Sequence, residues 1–513
     1  MLSVYFVLAF FLFPFYRYFI GSADFVTYLT IAEKYAAGNF HEAINSYWSP
    51  MISWLIVLFM QTGITPLISF KIIQITAGGV ALFLIFRLFP AQNIFSVILK
   101  CALFPSVLAY AYLYGSPDLL MLTGYLGFVF ILQKKIYPNN TYSSFWMGAI
   151  GSMLYFTKGF GFIFFVAAFT SINIMLFIKG SERKTVLLKK YVTGIFVFLL
   201  LSSLWIIPLS KREGKFTITS SGKYNLALIS PNENPDIIHE MKHPIQRGIL
   251  LPPASASDLS AWEHPDKLMH TLWNPLSSSS DFFTYLKVVS TNMRSMGHFH
   301  FGLDLGALLI LILIFFYFKN KNLLMSFLQE NIFLIITCFT CSMLYCLILA
   351  VHRYLWINDV VIAILLAGLL SLLPAPKKII FFLTSVAGLL LTFGSVQDLV
   401  NDFNGDKKIY QTCNNLYQNK ILNGNIASLD VGESELSYHQ SSIVAYLTKN
   451  KYYGMINHDN FIESGVDEMK GFGIKYLLVW DEKARFEGEK YGMKRIFYPE
   501  INLSVYTLAG DQE

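Results

Sequence analysis

The sequence predicts a mostly α-helical protein: a polytopic transmembrane bundle of about eleven spans, followed by a small extracytoplasmic α/β domain. Three observations predict it. Apolar runs of about 17–25 residues, the length that crosses a bilayer core, recur through residues 1–400. Hydrophobic residues make up 54% of the 513 and charged residues 14%, against about 25% charge in a soluble domain. Too little polar surface remains to cover a soluble globule of this size. Residues 401–513, by contrast, are soluble in composition.

The predicted spans are 2–20, 66–88, 94–113, 118–132, a short pair at 143–156 and 161–178, then 192–209, 303–318, 332–351, 358–373 and 379–396. The first could be read as a signal peptide, with Gly21-Ser22-Ala23 as its cleavage site. It lacks a basic n-region, and its apolar stretch exceeds the roughly 7–15 residues of an h-region, so retention is expected. Residues 22–48 read as an amphipathic stretch, and the short apolar run 50–60 as a helix lying at or dipping into the interface. In the C-terminal segment, 425–430, 475–480 and 503–508 read as strands and 435–448 as a helix.

Loop charge gives the sidedness. One alternating set of loops holds Arg87, Lys100, Lys134, Lys135, Lys179, Arg183, Lys184, Lys189, Lys190, Lys319, Lys321, Lys377 and Lys378, against only Glu182 and Glu330. By the positive-inside rule this set is cytoplasmic. The same distribution explains the net charge of +6 without a nucleic-acid groove. Loops 21–65 and 210–300, and the C-terminal domain 401–513, then lie outside the cytoplasm. Of five cysteines, only Cys413 falls in an aqueous segment, so no disulfide framework is expected. The Cys338-x-x-Cys341 pair sits in an apolar helix, and His298-x-His300 has no carboxylate at matching spacing, so neither reads as a metal site.

Four features on the predicted outer face carry chemistry. Asp24, Tyr28, Ala32 and Tyr35 recur at helical spacing. Their helix would set a carboxylate at the membrane boundary, where partial desolvation suits it to take a proton from a hydroxyl. Asp24 also fits a helix cap. Asp118, in Gly115-Ser-Pro-Asp118, is a second carboxylate at a helix start, with the same alternative. Lys158, in Thr157-Lys-Gly159, suits a phosphate as a point charge, or snorkels. Arg353, in His352-Arg-Tyr354, is an arginine on the face that positive charge avoids; it can fork onto a lipid phosphate, or anchor the interface with Tyr354 and Trp356. The long loop adds Lys211, Arg212, Lys223, Tyr224, Asn225, Arg247, Trp262, Glu263, His264 and Trp273. Aromatics beside carboxamides and charges suit sugar binding, and fit ordinary interfacial loops as well.

In this order the motifs resemble the GT-C membrane glycosyltransferases, in the branch of dolichyl-phosphate-mannose protein mannosyltransferases and bacterial aminoarabinose transferases. The resemblance covers roughly residues 1–400. It rests on Asp24 with Tyr28 and Ala32, on Tyr47-Trp48-Ser49-Pro50, and on Pro117-Asp118, Thr157-Lys158-Gly159 and Arg353-Tyr354. Many relatives carry Asp-Glu in the first loop, whereas here Phe25 follows Asp24, which leaves the acceptor class open.

The resemblance implies inverting transfer of a sugar from a polyprenyl-phosphate-linked donor to an extracytoplasmic glycan, glycolipid or protein. Asp24 would be the general base and Asp118 the second acidic residue, with Lys158 and Arg353 on the donor phosphate. Tyr28, Tyr354, Tyr224, Trp262 and Glu263 are the expected substrate contacts. No cofactor is required. Mg²⁺ or Mn²⁺ on the carboxylates is not favoured, since no ligand cluster requires it. The setting would be a bacterial inner (plasma) membrane. A secondary transporter or lipid flippase is the main rival. Such proteins usually place ionisable residues at the midplane and show internal repeats, neither of which is visible here.

Overall fold

The computed structural model describes residues 1–513 apart from 90–93, 135–136, 138–139, 141, 181–182, 232, 234–242, 269–272, 302–304, 431–433, 481–485 and 509–513. Lys135, Glu182 and the start of the predicted 303–318 span therefore lie outside the described residues.

The chain forms the predicted helical bundle with a small C-terminal sheet. Among the described residues, six helical segments are long and apolar enough to cross a membrane: α5 (Pro66–Leu88), α6 (Ile94–Leu113), α9 (Phe160–Lys179), α10 (Lys184–Glu213), a segment His352–Leu372 that contains α16 (Trp356–Leu372), and α17 (Lys377–Asn401). The other predicted spans are shorter helices. These are α1 (Leu2–Tyr16), α7 (Asp118–Gln133), α8 (Ser143–Thr157), α13 (Leu305–Lys319) and α15 (Ile332–Cys346). A helix of 15 residues rises only about 22 Å, less than a bilayer core. The amphipathic α14 (Lys321–Glu330) precedes α15 at a bend of 71°. Before α13 runs α12 (Ser279–Phe301). One apolar core runs through the bundle, with α17 against α6, α10 against α8 and α5 against α7.

The first loop departs from expectation. It folds into α2 (Ala23–Ala36), the short α3 (Phe40–Ala43) and α4 (Met51–Met60). An amphipathic α2 lying on the interface was expected, with one edge open. Instead α2 is buried nearly throughout, Phe25, Leu29 and Ala32 being fully enclosed. The reason is tertiary. Helix α4 covers one side, while the long loop, with α11 (Ser221–Leu228), and the C-terminal unit cover the rest, so a second core runs from α2 to the C-terminal sheet.

That unit begins with α18 (Lys407–Gln418) and α19 (Ser434–Leu447) and carries β1 (Asn425–Asp430), β2 (Tyr452–Asn457), β3 (Ile474–Trp480), β4 (Met493–Tyr498) and β5 (Leu503–Leu508). The order is β2-β1-β3-β5-β4; β2 and β3 run parallel to β1, and β5 is antiparallel to β3 and β4. The sequence pattern predicts β1, β3, β5 and α19 but not β2 or β4. β2 is interrupted by Gly454 at φ +89°. β4 is an edge strand whose Lys494, Arg495 and Ile496 are exposed, so no alternation marks it.

Candidate active site

The four charged residues singled out in the sequence, separated by up to 329 positions, meet in one cavity at the end of the bundle next to the C-terminal unit. Each is delivered by local structure. Gly21, at φ +72°, makes the turn from α1 into α2, a conformation that glycine adopts without steric cost. Ser22, not Asp24, caps α2: its side chain accepts from the Phe25 amide at 3.3 Å. The Asp24 carboxylate is therefore free to face the cavity. Gly115 lets the 115–118 segment close on α2, where a Cβ would stand 2.4 Å from Phe25 Cβ. The Gln74 carboxamide pins the same segment: its Nε2 donates to the Ser116 carbonyl at 2.6 Å, and Ser116 Oγ donates to Asp118 Oδ2 at 2.7 Å.

Lys158 ends α8 in extended backbone. Its ammonium donates to Asp118 Oδ1 and lies 3.7 Å from the centroid of the Tyr354 ring. Tyr354 in turn stacks on Tyr345 at 5.0 Å. Arg353 spans the two carboxylates, with one terminal nitrogen 3.1 Å from Asp24 Oδ2 and Nε 3.9 Å from Asp118 Oδ2. The other Asp24 oxygen accepts from the Trp262 indole N–H at 3.0 Å. Burial alone would raise the Asp24 carboxyl. Arg353 is the largest influence against it; with the Trp262 bond and weaker charges nearby the opposing influences together prevail, and the group is held below the ordinary carboxylate value.

The cavity is about 230 Å³ and is lined by Asp24, Tyr28, Asp118, Lys158, Trp262, Arg353 and Tyr354 among others. One wall is apolar, made by Phe160, Ile163, Leu344, Ile348 and Leu349. A larger apolar groove of about 700 Å³, between Tyr35, Trp54 and Trp205, holds no acidic or basic side chain. Among the described residues no group of three His, Cys, Asp or Glu side chains is arranged to hold a metal ion.

Two of the expected substrate contacts do not line the cavity. Tyr224 is buried behind it and bonds His243 Nδ1 at 2.7 Å. Glu263 is committed elsewhere: with Asp258 it forms a buried pair of carboxylates around Lys34, at 2.5 and 2.6 Å. Burial disfavours the Lys34 cation, but Glu263 and Asp258 overcome this and raise its pKa. The triad, together with the bond from Asn45 to the Glu263 carbonyl at 2.7 Å, fixes the turn that carries Trp262. Lys34→Met would leave the buried Glu263 without a counter-charge and Asp258 with only His264, 3.6 Å away. A loss of about 3–5 kcal/mol is expected, read as a drop in the thermal midpoint.

His243 is the cavity residue that no sequence signal marks, being a lone histidine in a long loop. Its ring lies edge-on to Trp262 at 4.9 Å. The Tyr224 hydroxyl, a phenol that burial keeps protonated, donates to Nδ1 of that ring. Burial pushes the imidazole down to about 4, against 6.5 ordinarily. The fold thus prefers the neutral ring. As pH falls from about 6.5 to 4 the unfolded chain takes up the proton first, and the folded state loses stability across that window. A His243→Gln variant is expected to show a shallower fall of the thermal midpoint between pH 7 and 4.5.

Neither a family model nor a curated protein sequence matches the chain. Solved structures do. ArnT from Cupriavidus metallidurans bound to undecaprenyl phosphate aligns with a TM-score of 0.56 at 10% identity, over 99% of this chain and 98% of that one. The apo state of the same protein aligns at 0.55 and 10%, over 100% and 98%. The archaeal oligosaccharyltransferase AglB from Archaeoglobus fulgidus, in complex with an inhibitory peptide and a dolichol-phosphate, aligns at 0.51 and 11%, over 96% and 71%. At such identities the likeness is one of fold, and it extends over nearly the whole length of this chain.

Proposed function

We propose that the chain transfers a sugar from a polyprenyl-phosphate-linked donor to an acceptor on the extracytoplasmic face of a bacterial inner membrane. The observation that carries this reading is the convergence of two carboxylates and two cations in one cavity with an apolar wall. Lys158 and Arg353 supply positive charge for a donor phosphate. The apolar wall suits the first units of a prenyl chain, and the lipid phosphates named for the ArnT and AglB structures are of this chemical class. Asp24 is the base. The acceptor oxygen bonds to the anomeric carbon from the face opposite the phosphate, and the C–O bond to phosphate breaks. Its electron pair leaves on polyprenyl phosphate, and the hydroxyl proton passes to Asp24. The configuration inverts. Tyr28, Tyr354 and Trp262 are the aromatic contacts for the sugar, with Tyr224 acting from behind through His243.

In this reading residues 1–400 are the catalytic membrane domain and 401–513 an extracytoplasmic domain, the sidedness following from the loop charges. No metal is called for, since the two side-chain cations bring to the phosphate the charge a divalent ion would supply. The acceptor is a glycan, glycolipid or protein. Transfer of labelled sugar from a polyprenyl-phosphate donor by the purified chain in proteoliposomes is the direct test. No transfer, together with substrate-coupled flux across the vesicle membrane, would replace this reading with that of a transporter or flippase.

A further inference from the structure

The C-terminal unit reaches the turn that aims Asp24. Three backbone amides of that turn end on side chains supplied by residues after 400. The amides of Ile20 and Gly21 both donate to Asp406 Oδ2, at 2.8 and 2.9 Å, and the Ala23 amide donates to His439 Nδ1 at 3.1 Å. Asp24 is the next residue. A backbone N–H can only donate, so Nδ1 of His439 is the acceptor and the neutral ring carries its proton on Nε2. His439 thereby satisfies an orphan first-turn amide that the cap does not serve, since Ser22 Oγ takes the Phe25 amide. The far end of α2 is held by the same unit: Glu33 accepts from the Tyr446 hydroxyl and from Lys449 Nζ, both at 2.9 Å.

None of Asp406, His439, Tyr446 and Lys449 lines the cavity. We infer that the C-terminal α/β unit is a positioning module of the active site, in which His439 and Asp406 aim Asp24 through the backbone of its turn. The inference rests on the reading of Asp24 as the base. It gives the unit a task other than binding a separate ligand.

Acceptor geometry provides a sharp test. Asparagine at 439 places its oxygen close to where Nδ1 stood, whereas glutamine places it near Nε2. A misplacement of about 1 Å costs roughly a hundredfold in rate. In the full-length protein, His439→Ala and His439→Gln are expected to lower kcat about ten- to a hundredfold, with the donor KM within about threefold of wild type. His439→Asn is expected to keep kcat within about threefold. Hydrogen exchange of the 20–26 amides provides a readout that needs no substrate; it should quicken in the Ala and Gln variants and not in Asn. Wild-type kcat and exchange in His439→Ala, or an Asn variant as impaired as Ala, would overturn the inference. Quickened exchange in His439→Ala alongside a wild-type protein that transfers no sugar would instead overturn the reading on which it rests.

Discussion

Asp24→Asn is expected to lower kcat by about 10²- to 10⁴-fold, the usual worth of a positioned base, while donor affinity holds or improves. The substitution is isosteric, and the carboxamide oxygen still accepts from Trp262. What it removes is the anion facing Arg353, to which an amide nitrogen would present only hydrogens. Arg353 then has more of its charge to offer a phosphate. A structural lesion would weaken donor binding and turnover together, so the split between kcat and donor affinity is diagnostic. Unchanged kcat would remove Asp24 as the base. The carboxyl is held below its ordinary value in the free protein, by Arg353 first once burial is overcome. Asp24 is therefore ionised at any pH above about 4, where a carboxylate ordinarily titrates. The stability this contributes is fully present above the unfolded value and is lost only as pH falls through the lower folded one.

Much of this site was legible because its residues break local rules. Arg353 on the face that positive charge avoids, and Asp24 and Asp118 at helix starts, are conspicuous in an apolar chain. The span pattern was equally plain, since bilayer thickness imposes it. What stayed hidden depends on tertiary contact. Glu263 has the composition of a sugar contact, but Lys34, some 230 positions away, claims it. The pairing follows from how the long loop lies over α2, which no periodicity encodes. His243 and His439 are single histidines without a motif, drawn to the site by a loop and by a helix of the C-terminal unit. The burial of α2 was illegible for the same reason: its amphipathic pattern describes the helix correctly, but not what comes to cover it.

Arg353→Ala is expected to weaken donor binding by at least about thirtyfold, the lower end of what truncating one partner of a buried, hydrogen-bonded charge pair costs. It should also move the acid limb of kcat/KM to higher pH. The two effects have one cause. In the free protein the guanidinium spans Asp24 and Asp118 and is the largest influence opposing the burial that would otherwise raise Asp24. Without it, the Trp262 bond is the main influence left to resist, so the carboxyl titrates higher and activity is lost sooner on acidification. Arg353→Lys should recover part of the donor affinity, because a point charge can serve the phosphate but cannot fork across both carboxylates. Unchanged donor affinity and an unmoved acid limb in the alanine variant would reduce Arg353 to an interfacial anchor. The competition also explains how a carboxylate held this acidic can serve as a base. A donor phosphate draws Arg353 towards itself and weakens its hold on Asp24. The proton affinity of Asp24 then rises only when a sugar donor is in place to use it.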